Sequence, residues 1–128
     1  MSALVGVAVA LAPAAARAGA TPVEVIAEQL DAFERRDPRA AYELASAGMR
    51  EGHHPVSLTR MMSRKYPEIA TSVAVLVLEQ YERTGGWYVR ARVTGANLKT
   101  VEALFRLVQE AGDWRVDEVV THPVPDQI

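Results

Sequence analysis

Apolar residues recur at two different periods along this chain, and the change of period falls at Thr71. Before it, Val23, Ile26, Leu30 and Phe33 repeat at helical spacing and form one stripe, with Glu24, Glu28, Asp31 and Arg35 largely on the other faces. The start of that helix is written in Thr21-Pro22-Val23-Glu24. Thr21 can cap, Pro22 suits the first helical position, and Glu24 can reach back to the cap amide. The helix is expected to end near Arg36, because Pro38 disfavours helical geometry at Asp37. Asp37-Pro38 repeats the device and opens a shorter helix, packed by Ala41, Leu44 and Ala45 and stopping at Gly48. Met49–Val56 reads as a loop punctuated by Gly52 and Pro55. Ser57–Tyr66 reads as a third helix, apolar at Leu58, Met61 and Met62, and closed by Pro67.

Beyond Thr71 the pattern is that of strands. Ser72–Glu82 is rich in Val and Leu, and Thr84-Gly85-Gly86 is a turn. Trp87–Thr94 alternates cleanly, as does Thr100–Glu110, and Trp114–Thr121 is the last strand. Helices grouped before consecutive hairpin strands define an α+β domain: N-terminal helices packed on one face of a curved antiparallel four-stranded sheet. The expected inward positions are Val89, Ala91, Val93, Val101, Ala103, Phe105 and Val116. The opposite choice would bury Arg90, Arg92, Glu102 and Arg106 together, which is costly.

The first twenty residues follow neither period. Ala3–Ala12 is an apolar run broken by Pro13, and Ala16-Arg17-Ala18 supplies the small residues a signal peptidase accepts. The run is too short to span a bilayer, which takes about 20 residues. The expected organisation is therefore a cleaved signal over residues 1–20, one domain over 21–123 and a tail over 124–128, in a periplasmic or secreted protein. No Lys or Arg precedes the apolar run, so this leader lacks a basic start. Of the 128 residues 49% are apolar and 23% charged, an ordinary globular composition. The net charge of -2 argues against a nucleic-acid partner, which requires a basic face. With no cysteine in the chain, disulfides and thiol chemistry are excluded.

Three passages, QLDAFERRDPRAAYELAS at 29–46, MMSRKYPEI at 61–69 and VEALFRLVQEAGDWRVDEV at 101–119, resemble the family called domain of unknown function 4864. The likeness runs from Val23 to His122. That family in turn resembles the nuclear transport factor two-like, or cystatin-like, cone superfamily, in which a curved antiparallel sheet wraps a long helix. The resemblance implies export from a bacterial cell. It carries no established activity and so no catalytic residues.

Candidate chemistry is sparse. His53, His54 and His122 are the histidines available to a metal, but no helical or strand spacing joins them, and no metal or other cofactor is expected. Asp31, beside the apolar stripe of the first helix, is the best single acid for a general base, with an ion pair to Arg35 as the plainer reading. Tyr42, Tyr66, Trp87 and Trp114 could line an apolar pocket with a few polar tips. Asp31, Tyr42, Tyr66 and Trp87 are thus the ligand-binding candidates. Tyr88, Arg90, Arg92 and Thr94 form an outward stripe suited to pairing with a second copy. Three functions remain open: a non-catalytic domain binding a small apolar ligand or a protein partner, an isomerase or lyase of the cone type, and a structural homodimer.

Overall fold

Four of the five helices among the described residues start at a proline. The computed structural model describes residues 19–124, so the leader up to residue 18 and residues 125–128 of the tail lie outside the described residues. Helix α1 spans Pro22–Glu34. Its cap is the one the sequence spells: the Glu24 amide donates to Thr21 Oγ1 at 3.2 Å and the Thr21 amide to Glu24 Oε1 at 2.9 Å. At the other end Arg36 turns left-handed (φ 60°), and the Arg36 and Asp37 amides donate back to the carbonyls of Phe33 and Ala32. This double closure satisfies the last carbonyls before Pro38 redirects the chain. Buried Gln29 donates through Nε2 to the Ala41 carbonyl at 3.1 Å and so ties α1 to the next helix.

Helix α2, Pro38–Glu43, ends before Gly48. The expected longer helix gives way after its cap at Leu44 to a bridge between Ala45 and Val116, where the Val116 amide donates to the Leu44 carbonyl and the Ser46 amide to the Val116 carbonyl. Two hydrogen bonds to a distant strand replace the helical ones. Ser46 then caps a single turn, α3 (Ala47–Arg50), which straddles the expected helix stop at Gly48 and the start of the expected loop at Met49. Helix α4, Pro55–Lys65, begins two residues before the expected Ser57, because Pro55 takes the first helical position and His54 and Ser57 cap each other. Pro67 does not merely close α4; it opens a further turn, α5 (Pro67–Ala70).

The four strands follow in sequence order across one sheet: β1 (Ser72–Arg83), β2 (Gly86–Gly95), β3 (Thr100–Glu110) and β4 (Asp113–Pro123), all neighbours antiparallel. Among the described residues five helices precede this curved sheet, an α+β architecture. Register breaks in β1 between Ser72 and Ala74 and between Val77 and Glu79, and in the β3–β4 pair at Arg106–Leu107, bend the strands. One face carries Val89, Ala91, Val93, Ala103, Phe105 and Val116, each at most 1% exposed, with Val101 partly buried beside them. They join Ile26, Leu30, Phe33, Leu58, Met62 and Ile69 in one core. Arg90, Arg92, Glu102 and Arg106 take the opposite face, as the burial argument requires.

Candidate functional site

The four ligand-binding candidates have well-defined surroundings. Asp31 accepts from Arg35 Nε at 3.0 Å, and both side chains are 44% exposed. This is the i, i+4 pair at a helix surface. Tyr42 donates its hydroxyl to the His53 carbonyl at 2.8 Å, with the Arg50 guanidinium 5.4 Å from its ring centre. Tyr66 forms the joint between α4 and α5, under the Lys65 ammonium. Trp87 donates from Nε1 to Gln80 Oε1 at 3.0 Å and packs obliquely on Trp114, with ring centres 6.2 Å apart. The two tryptophans are thus brought together, while Asp31, Tyr42 and Tyr66 make these contacts in separate neighbourhoods.

The histidines do not converge. His53 Nδ1 lies 3.1 Å from Ser57 Oγ, His54 serves the cap of α4, and His122 stands on β4 opposite Glu102. No group of three His, Asp or Glu among the described residues is arranged to hold a metal ion. A depression near the start of α1 is lined by Ala20, Val25, Glu28, Leu44, Trp114 and Arg115. Its roughly 200 Å³ is space between atoms that includes open solvent, and it leaves no room for a small molecule.

Polar groups are concentrated in two clusters that the sequence did not single out. At the first, Ser46 Oγ donates to Asp117 Oδ1 at 2.6 Å, and the other oxygen of Asp117 accepts from Arg106. The Met49 amide meanwhile donates to Ser46 Oγ at 3.0 Å. Arg106 is held above its ordinary pKa, first by the Tyr88 side chain and then by the charge of Asp117, against the cost of desolvation. The cluster fastens α3 to the bulge of β4. Its acid and hydroxyl are engaged with each other and with the cap, not aimed at a ligand. A Ser followed by Ala-Gly-Met is a readable cap; its second partner, 71 residues on, is not.

The second cluster lies on the outer face. Arg90 donates to Glu102 and, at 2.9 Å, to Glu79, crossing β1, β2 and β3. The Glu102 carboxyl is held below its ordinary value, chiefly by the hydrogen bond from Arg90, and Arg90 is raised by Glu102 and then Glu79. Because the folded value is the lower one, the stability this acid contributes is full above its unfolded pKa. It is lost as the pH falls through the folded value. An NMR titration should therefore place Glu102 below the ordinary glutamate midpoint, and Arg90→Met should move it back up. A wild-type midpoint at or above the ordinary value would contradict the pairing. Thr94 and Thr100 share a hydrogen bond on this face, and Tyr88 stacks on Tyr81. The polar tips and rings of the outward stripe are thus largely engaged within the monomer.

The least satisfied surface is β1. Among the described residues it is an edge strand, paired only with β2. Val75 and Val77 stand opposite Val93 and Ala91 on the helix side, whereas Leu76 stands opposite Arg92 on the outer side. Apolar side chains are therefore presented on both faces of one strand. Val73 is 61% exposed, Leu76 48% and Val75 40%. Beside this half of β1 lies the β2–β3 turn, tied to it by the Ala96 amide donating to the Thr71 carbonyl. At its tip Leu98 is 81% exposed and left-handed (φ 67°). A leucine in that conformation costs on the order of 1–2 kcal/mol.

Among known proteins, a family model described as domain of unknown function (DUF4864) matches residues 15–128. No curated protein matches the chain. No solved structure matches it either.

Proposed function

The chain belongs to the DUF4864 family, and since that membership brings no activity with it, we propose that this is an exported, non-catalytic domain that works by binding a protein partner through β1 and the neighbouring β2–β3 turn. One observation carries the reading. The run SVAVLVL is apolar without alternation, as in strands covered on both faces. Yet in the monomer Val73, Val75, Leu76 and Leu78 are all exposed. Native proteins blunt such edges; the apolar half of β1 carries no proline or charge to do so. An edge strand of this kind accepts a further strand, with main-chain hydrogen bonds giving affinity.

The ranking against the other readings is physical. A small apolar ligand needs an empty, apolar space, and the side chains facing the helices are close-packed, with Phe105 and Leu58 at most 1% exposed. A cone-type isomerase or lyase needs an acid or imidazole held in a cavity. Asp31 is instead paired at the surface, and His53 and His54 are used at the start of α4. We retain the nuclear transport factor two-like cone as the closest architectural description, supported by helices first and hairpin strands after. A leader at residues 1–20 fits the same picture of an exported domain. No helix among the described residues is long and apolar enough to cross a membrane.

The test is photo-crosslinking in a bacterium that exports the protein, with the reactive side chain placed at Val73 and, as control, at Arg39 on α2. A discrete protein adduct from position 73 but not 39 is expected. The same pattern from both positions, or none from 73, would overturn the reading.

A further inference from the structure

Export implies a processed chain, and the entry to α1 bears on where the cut falls and what becomes of the new end. We propose that the leader is removed between Ala18 and Gly19, and that the α-ammonium freed on Gly19 docks beside Glu28 in the depression at the start of α1. Maturation would then fasten the entry of the domain. The inference rests on the export half of the reading above and is independent of β1.

The packing of Ala20 selects the cut. Two stretches offer the small residues a signal peptidase accepts, Ala16-Arg17-Ala18 and Ala18-Gly19-Ala20. Cleavage after the second begins the mature chain at Thr21 and discards Ala20. Ala20, however, packs against the core and shares the depression with Val25. These two stand just before the cap of α1 and just beyond its first turn, the positions whose apolar contact fixes the angle at which a chain enters a helix. Cleavage after Ala18 keeps that contact. One water adds across the Ala18–Gly19 peptide bond. The leader leaves with the carboxylate, and the Gly19 amine takes up a proton.

The surroundings of Ala20 supply the destination. Gly19 is left-handed (φ 82°), so the chain bends immediately ahead of Ala20. Ala20 and Glu28 line the same depression. Glu28 is 8% exposed, and both of its carboxylate oxygens are shut off from solvent. A carboxylate so placed is stable as an anion only with positive charge close by. The Arg115 guanidinium, on the same wall, donates from Nη1 to the Trp114 carbonyl at 3.0 Å and stands with Nη2 3.8 Å from Asp113 Oδ2. Asp113 adds a second carboxylate to the wall. Cleavage after Ala18 removes Arg17, the one basic side chain ahead of α1, and sets an ammonium one residue from Ala20 in its stead. The depression has no room for a small molecule, but this nitrogen arrives on the chain that already lines it.

The test uses the processed protein, purified from a bacterium that exports it. Mass spectrometry should give Gly19 as its first residue. Cyanate then reports on the new amine: isocyanic acid adds across the N–H bond and leaves a neutral urea. The chain's other amines, Lys65 and Lys99, are exposed and serve as references. In the folded protein the α-amine should react at least tenfold more slowly than in guanidinium-unfolded chain, while Lys65 and Lys99 react alike in both. Once blocked, the protein should unfold about 5 °C or more below the free form, since a buried carboxylate has lost its cation. Glu28→Gln should abolish that difference. A mature chain that begins at Thr21, or one that keeps its leader, overturns the proposal. So does an α-amine as reactive folded as unfolded, a blocked protein that unfolds with the free one, or an effect of blocking that persists in Glu28→Gln. Should Glu28→Gln fail to fold, reactivity and blocking in the wild-type chain decide. A retained leader removes export as well; a Gly19 start with a freely reactive amine removes the docking and leaves export and the β1 reading standing.

Discussion

Phe105→Ala should destabilise the domain by about 3–5 kcal/mol, the usual cost of removing a buried aromatic ring. Phe105 is 1% exposed, near the middle of β3. Its neighbours across the sheet are Val89 on β2 and Val119 on β4, both buried. The cavity left behind cannot close by a shift of β3, because that strand is hydrogen-bonded on both sides. The total stability of a domain is only about 5–15 kcal/mol, so this one change would remove a large part of it. Thermal unfolding followed by circular dichroism should show a midpoint lower by roughly 12 °C or more, at about 4–8 °C per kcal/mol for a domain near this size. Leu98→Ala is the matched control. Its side chain is exposed, so in dilute protein its effect should stay within about 0.5 kcal/mol. A Phe105→Ala midpoint within a few degrees of wild type would mean that the sheet does not close over the helices there.

How much of this was readable beforehand depends on where each determinant lies in the chain. Helix α1 was legible from end to end because its stripe, its capping box and the proline that stops it all lie within Thr21–Pro38. The strand faces were legible because alternation in β2 and β3 leaves only one choice that does not bury four charged side chains. The end of α2 was not legible. The residue that draws Ala45 and Ser46 away from the helix is Val116, on the last strand, and no local signal announces it. Pro67 could be read as a stop but equally fits a first helical position; the α5 turn uses the second property.

The candidate site shows the same division more sharply. Residue type singled out Asp31, Tyr42 and the histidines, since they can do chemistry. What each does is decided by a neighbour: Arg35 for Asp31, the His53 carbonyl for Tyr42, Ser57 for His53 and His54. In β1 the composition was legible and its consequence was not. An unbroken apolar run reads as a strand covered on both sides. Only the strand order, with β1 at an edge, turns that composition into an exposed surface.

That surface is positioned by one glycine, and Gly95→Ala is expected to disturb it with a cost of about 1–3 kcal/mol. Gly95 ends β2 at the turn bearing Leu98 and Lys99, and its conformation is one an alanine can adopt; the obstacle is space. A Cβ there would stand 2.8 Å from the Cα of Glu68, 2.9 Å from Asn97 Oδ1 and 3.1 Å from Thr71 Oγ1. The closest of these is backbone in α5 and cannot swing aside. Alanine would ordinarily gain about 0.4–1 kcal/mol over glycine by restricting the unfolded chain, so steric crowding must exceed that gain for the variant to be destabilised at all. Crowding should win, because yielding means moving α5 or the turn. Either movement strains the hydrogen bond from Asn97 Nδ2 to Glu68 Oε2 (3.0 Å) and that from the Ala96 amide to the Thr71 carbonyl (2.9 Å). Denaturant unfolding should show the loss. Amide exchange should accelerate first at Ala96 and Leu98, whose hydrogen bonds hold the turn. The core at Phe105 should keep its protection in the same variant. If unfolding shows Gly95→Ala to be as stable as wild type or more so, the turn is not pressed against α5.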